Sequence, residues 1–279
     1  GMAHLKAQDD PPQVVIIFDA DCLAEDGALA KLKLTAQQRQ RPVQACYLMR
    51  RGEIDRLTVK VSEFAFMVKN KIRLRGLARM AMPVSLTGTG MAFPWEIIAN
   101  AQLANGDIVE DMRLGVELAE HNQGATYCDD ALVYSHFPTS EAAERTQRER
   151  WEHGHLNTLR QFVPRLLARA FIKGNTQALA MALDLMIPPL SLLVMIIAAA
   201  WGFFLFWGLL FSQWLFFELS QSYLVILLVV IGIVWLSHGR HILATKDMLH
   251  IPVYIISKIS VYVGYIIRKQ TKWIRTDRR

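Results

Sequence analysis

Apolar and polar positions are interleaved over residues 1–175, whereas residues 185–267 are almost all apolar. In the first part, Val14–Phe18 is a short continuous apolar run rich in β-branched residues. It predicts a strand covered on both faces, as in a parallel α/β sheet. Residues 27–40 predict a helix and 42–48 a second strand, an order that implies a right-handed crossover. Residues 56–80 predict a mostly helical stretch, basic on one side, and 84–93 a strand broken by glycines. Residues 110–123 predict a helix opening on two acids, which favour the positive end of its dipole. A strand region at 125–138 and a long helix at 140–162, with Ser140 as its cap, complete this part. The sheet reads as incomplete at its N-terminus. A doubly wound domain usually places several strands before its ligand-binding switch point, and here the acidic strand end arrives by residue 19.

The second part predicts membrane spans. Leu185–Phe217 carries no charge over 33 residues, against roughly 20 needed to cross a bilayer. Pro188 and Pro189 are expected near its start, where a missing amide donor costs least. Leu219–Ser237 is a second uncharged run with Tyr223 and Trp235 near its ends, as interfacial anchors. The spans are expected at about 185–212 and 219–237. The link Ser212–Gln221 has no Lys or Arg, whereas His238–His250 carries Arg240 and Lys246. The positive-inside rule then places the link outside and the part before the first span in the cytoplasm. Ile251–Ile267 is apolar except for Lys258, and its tyrosines Tyr254, Tyr262 and Tyr265 suit a headgroup-level helix. An interfacial or re-entrant segment is expected there, with a short third span as the alternative. The organisation expected is a cytoplasmic domain over 1–175 and a membrane region over 176–279.

Composition changes this picture little. Hydrophobic residues make up 52% of the 279, and the net charge is +6. Arg268, Lys269, Lys272, Arg275, Arg278 and Arg279 form a basic tail. Beside apolar spans such a tail points to anionic lipid rather than nucleic acid. Cys22, Cys46 and Cys128 have no ligand spacing and predict no disulfide framework. Residues 1–13 are polar, carry two prolines and do not read as a signal peptide.

Four constellations carry candidate chemistry. Asp19 and Asp21 alternate at the end of the first strand, so an extended chain points both carboxylates one way. Two hard oxygen ligands there suit Mg²⁺ or Mn²⁺, which can hold a diphosphate. Haloacid-dehalogenase-like phosphatases also follow an apolar strand with Asp-x-Asp, but then usually place Thr or Val where this chain has Leu23. Gly88-Thr89-Gly90 permits close backbone approach to a ligand. Of the adjacent acids Glu110 and Asp111, one can face a pocket as a general base while the other caps or pairs. Gln147, Arg150 and Trp151 share a helical face that offers an amide, a guanidinium and an indole, suited to a sugar or a phosphate. Each taken alone has an ordinary structural explanation: a polar turn, a loop, a solvated helix start and a charged helix with one buried Trp.

Asp-x-Asp, Gly-Thr-Gly, Glu-Asp, Gln-x-x-Arg-Trp and then apolar spans, in this order and spacing, resemble the membrane-bound family-2 glycosyltransferases. These include the synthases of cellulose, chitin, hyaluronan and other exopolysaccharides. "GMAHL" at the start resembles the end of the family's Lys-Gly-x-Ala-Leu pattern, and "KWIRTDR" its Trp-x-Arg-Thr-x-Arg ending. The resemblance implies an α/β nucleotide-sugar-transferase (GT-A-like) domain, incomplete at its N-terminus, followed by an α-helical transmembrane region. It implies an inverting hexosyltransferase with a divalent metal, a nucleotide-sugar donor such as a UDP-sugar, and a glycan or lipid acceptor. Carried over by motif, Asp19 lies near the nucleotide, Asp21 ligates the metal and Asp111 is the base. Gly88, Thr89 and Gly90 then shape the sugar pocket, while Gln147, Arg150 and Trp151 line the acceptor or diphosphate site. A gating loop of the Phe-x-Val-Thr-x-Lys kind is not evident. The resemblance implies a truncated chain that binds nucleotide poorly, a multi-pass place in the cell membrane and polysaccharide-synthase subunits as partners. The alternatives are a non-catalytic membrane subunit of such a complex and a membrane-tethered, metal-dependent phosphatase.

Overall fold

The computed structural model describes residues 2–101, 110–259, 262 and 264. The basic tail and Tyr265 lie outside them. In chain order the elements begin with α1 (Met2–Lys6), β1 (Val14–Ile17), β2 (Leu23–Ala24), α2 (Ala28–Arg39) and β3 (Val43–Arg50). Then come α3 (Leu57–Met67), a π-helical stretch (Val68–Arg73), α4 (Leu74–Arg79), β4 (Met91–Pro94) and α5 (Trp95–Ile98). Next are α6 (Glu110–Glu120), β5 (Thr126–His136), α7 (Glu141–Lys173) and α8 (Thr176–Met186). The last are α9 (Leu190–Phe211), α10 (Leu215–Val234) with a π-helical end (Trp235–Gly239), α11 (Thr245–Met248) and α12 (Ile251–Ser257). The chain forms two compact units. One holds the described residues within Gly1–Ile54 and Phe66–Met186, the other those within Asp55–Ala65 and Ile187–Lys269.

The first unit is built on a five-stranded sheet in the order β1-β4-β3-β5-β2. The sheet is mixed, not parallel as the apolar run predicted. β3 and β5 are parallel, but β4 runs antiparallel between β1 and β3. The run Val14–Phe18 is continuous because both sheet faces are covered, and burial does not depend on strand direction. Its side chains alternate between two cores. Val15 and Ile17 pack with Phe93, Leu86, Leu114 and Leu118 on one face. Val14, Ile16 and Phe18 pack with Leu32 and Ala36 of α2 on the other. The acids Asp129 and Asp130 fall where the β3–β5 register slips, between Ala45 and Cys46. The slip lets Asp129 pair with Arg75 at 2.7 Å instead of entering the core. Of the expected strand at 84–93, Met91–Pro94 pairs and Val84 makes a lone bridge to Ala125.

Helix α7 starts where expected, with Ala143 N donating to Ser140 Oγ at 3.5 Å. It runs past Pro164 and stops only at Gly174, which adopts φ 63°. Phe162, Val163, Leu166 and Ala170 pack against Met181, Ala182 and Leu185 of α8. That burial outweighs the hydrogen bond a helical proline forfeits.

In the second unit, α9 and α10 are each long and apolar enough to cross a membrane, and only 6% of each apolar window is buried. A soluble core helix would be mostly buried. The first begins at Leu190, not near 185, because Pro188 and Pro189 break the chain and Leu185 belongs to α8. The second begins at Leu215, so the link shrinks to a turn at Ser212–Trp214 and Glu218 falls in the first helical turn. Of the expected segment 251–267, Ile251–Ser257 is helical, and Ser191 and Tyr262 share a hydrogen bond of 2.8 Å.

Candidate active site

The site gathers at the end of β1. The chain leaves the strand at Ile17 and turns at once, with Cys22 N donating to Asp19 O at 3.1 Å. Asp19 and Asp21 are therefore brought together by a turn rather than by strand alternation. Both are exposed and Cys22 is buried. One ligand atom from each of Asp19, Asp21 and Cys22 lies within 4.8 Å of the others. Two carboxylates at this separation fit a divalent cation.

The Gly88–Gly90 loop is tied to this turn. Asp19 N donates to Thr89 Oγ1 at 3.0 Å, and Thr89 is fully buried. Ala45 N donates to Gly90 O at 2.8 Å. Gly90 adopts φ 62°, and a Cβ there would meet Ala45 Cβ at 2.8 Å, so no larger residue fits. Gly88 adopts φ 89° and faces Asp111, whose Oδ2 would stand 3.5 Å from a Cβ at that position. The loop thus touches the Asp19 turn on one side and Asp111 on the other.

Asp111 lies in the first turn of α6. It keeps some solvent contact, but the protein crowding it removes water, and its pKa rises from 3.8 to about 6. The amides of Met112 and of Asp111 itself, with the charge of Lys69, oppose that rise. Lys69 lies on the π-helical stretch. Its side chain reaches solvent, yet crowding of the ammonium lowers its pKa, and Arg73 adds to that. Arg73 is itself held by Asp184 at 2.7 Å, and Asp184 accepts from Ser85 Oγ at 2.8 Å.

The α7 face divides. Gln147 is 1% exposed, and its Nε2 has no hydrogen-bond partner among the described residues. Arg150 and Trp151 are half-buried, and desolvation lowers the Arg150 pKa. Trp151 connects to the site through rings: its centroid is 5.7 Å from Phe66, which is 5.3 Å from Tyr47. Tyr47 and Ser135 share a hydrogen bond of 2.7 Å, and burial holds the Tyr47 phenol well above its ordinary pKa. Asp19, Asp21, Gly88, Thr89, Gly90 and Asp111 therefore form a linked group. Trp151 reaches it through two aromatic rings, and Gln147 lies buried within the fold.

Sequence reasoning missed Gln44, Lys69 and Phe66. Gln44 is fully buried. Its Nε2 donates to Thr89 O at 3.0 Å and its Oε1 accepts from Thr87 N at 2.9 Å, so one amide pins the glycine loop. A lone amide inside the apolar strand "PVQACYL" was its signal. Lys69 and Phe66 carry no comparable signal, because a helical Lys or Phe is ordinary.

The model of the family described as glycosyl transferase family group 2 matches residues 14–256. No curated protein matches the chain.

Proposed function

The chain belongs to glycosyl transferase family group 2, and from that membership we propose an inverting, membrane-associated hexosyltransferase. It moves a sugar from a nucleotide donor, a UDP-sugar in the first instance, to a glycan or lipid-linked acceptor in exopolysaccharide or cell-envelope polysaccharide synthesis. The observation that carries this reading is the placement of Asp111 against Gly88, in a loop whose next residue is bonded to Asp19. A base and a nucleotide-binding turn on opposite sides of one rigid loop suit direct displacement, which needs a single base and no covalent intermediate.

Asp111 takes the proton of the acceptor hydroxyl. Its raised pKa matches a base that works near neutral pH. Asp21 would ligate a divalent metal and Asp19 would lie near the nucleotide; Mg²⁺ or Mn²⁺ bound there would offset charge on the departing diphosphate. Gly88, Thr89 and Gly90 shape the wall beside the donor sugar. Trp151 offers a ring to the acceptor, and Arg150 a guanidinium to acceptor or diphosphate. Helices α9 and α10 cross the bilayer, with the residues before α9 in the cytoplasm.

The test is release of nucleoside diphosphate by the protein in membranes, across a panel of nucleotide-sugars, with and without Mg²⁺ or Mn²⁺. Metal-dependent release with one donor, lost in Asp111→Asn, is expected. Near-full release by Asp111→Asn would overturn the base assignment.

A further inference from the structure

At the end of the sheet away from Asp19, the first unit holds a cavity of about 470 Å³. Its wall includes Pro94, which pairs with Val14 at the start of β1, whereas Asp19 follows the end of that strand. Arg41, Glu96, Asn122 and Gln123 are among its polar lining. Arg41 is half-buried, and its Nε is cut off from solvent with no hydrogen-bond partner among the described residues. Its Nη2 donates to Gln177 Oε1 at 2.9 Å, an oxygen that also accepts from Gly124 N at 3.0 Å. A neutral amide shared with a second donor is thus what holds the cation. Other half-buried guanidiniums of this unit are answered by charge: Arg73 by Asp184 and Arg75 by Asp129, each at 2.7 Å. No carboxylate answers Arg41 among the described residues, and burial pushes its pKa down. The carbonyls at the end of α6 do not answer it either. Those of Ala119 and Glu120 accept from Asn175 Nδ2 at 3.1 and 3.0 Å, and that of Asn122 from Gln177 Nε2 at 3.2 Å.

A partly desolvated guanidinium without a counter-charge favours an anion, and its planar edge matches an oxyanion through two parallel hydrogen bonds. We propose that this cavity is a second ligand site, which takes a phosphoryl group, free or on a small soluble ester, with Arg41 as its anchor. A carboxylate would spend both its oxygens on the guanidinium. A phosphoryl group keeps a third oxygen for the amides of Asn122 and Gln123, which are exposed on the cavity wall. The volume is that of a small-molecule pocket. Glu96, exposed on the same wall, opposes any anion, so its removal has a predictable sign. The site stands apart from the transferase reading, because none of Asp19, Asp21 and Asp111 lines it.

The experiment uses the full chain in nanodiscs of zwitterionic lipid, without divalent metal. Calorimetry follows titration with inorganic phosphate and separately with glucose 1-phosphate. The wild type is expected to bind at least one of them with a Kd below about 1 mM. Tighter binding of the ester would identify an esterified ligand, and equal binding the free ion. Arg41→Gln should weaken binding at least about tenfold, the loss of one charge-assisted hydrogen bond. Arg41→Lys keeps the charge without the planar edge and should fall between the two. Glu96→Gln should tighten binding about two- to fivefold, the scale of one exposed charge contact. That exposed position carries the test if Arg41→Gln misfolds. Arg150→Gln removes the guanidinium assigned to the acceptor or diphosphate and should bind as the wild type does. Four results would each overturn the proposal: no binding of either probe below about 1 mM, unchanged affinity in a folded Arg41→Gln, weaker binding in Glu96→Gln, or loss of binding in Arg150→Gln, which would put the phosphate in the transferase site.

Discussion

The loop at Gly88–Gly90 and the helix pair α9–α10 are held by opposite kinds of force. Around the loop, position is set atom by atom. Gln44 satisfies Thr87 and Thr89, Asp19 is bonded to Thr89, and Gly90 has no room for a methyl group. In α9 and α10 most large side chains, among them Phe203, Leu209, Ile226 and Leu228, face outwards. Backbone hydrogen bonds close within each helix, and what the outer face requires is apolar surface rather than a particular shape. A site that must aim a carboxylate needs the first kind of order. A helix pair that has only to present apolar surface needs the second.

The contrast ranks substitutions. The largest effect belongs to Asp111→Asn. Removal of a general base costs about 10²- to 10⁴-fold in rate, read as nucleoside diphosphate release. The same change should not lower the melting temperature near pH 7. A carboxyl whose folded pKa is raised contributes stability that is full below its unfolded value of 3.8 and is lost as pH rises through about 6. At pH 7 the charged, crowded Asp111 therefore weakens the fold, and asparagine relieves it. A fall in melting temperature at pH 7 would break the comparison at its strongest point.

Gln44→Leu comes next. It keeps the buried volume but leaves Thr87 N and Thr89 O without their partner, at about 1–3 kcal/mol for each unsatisfied group. Chemical denaturation should show that loss, and activity should fall with it because the loop loosens between Asp19 and Asp111. The smallest effect is expected for Leu228→Ile on the outer face of α10, within about 0.5 kcal/mol and without effect on rate. If Leu228→Ile proved as costly as Gln44→Leu, the helix pair would be packed as specifically as the loop.

The same contrast explains what the sequence disclosed. The continuous run Val14–Phe18, the helix at 27–40 and the long apolar runs were legible because hydrophobic burial leaves its pattern in the chain. Strand direction was not, since β4 inserts antiparallel between β1 and β3 through pairings that leave no local trace. Pro188 and Pro189 were legible as lying near the start of the first apolar helix, but their delay of it to Leu190 was not, and the passage of α7 through Pro164 depended on packing against α8. At the site, Asp19, Asp21, Gly88 and Asp111 stood out because acids and glycines in an apolar setting need a reason. Their convergence comes from a turn and a loop rather than from the strand geometry expected. Gln44 and Lys69 act through tertiary contacts, and neighbours distant in sequence decide their roles.

The measurement that bears most directly on the central claim is the pH dependence of sugar transfer by the membrane-embedded protein, from about pH 5 to about pH 8. Asp111 works as a base only when ionised, and its pKa is about 6. The rate should be flat above about 7 and fall about tenfold per unit below about 6, with no matching loss of folded protein. A rate that holds level down to pH 5 would contradict the assignment of Asp111 as the group that takes the acceptor proton.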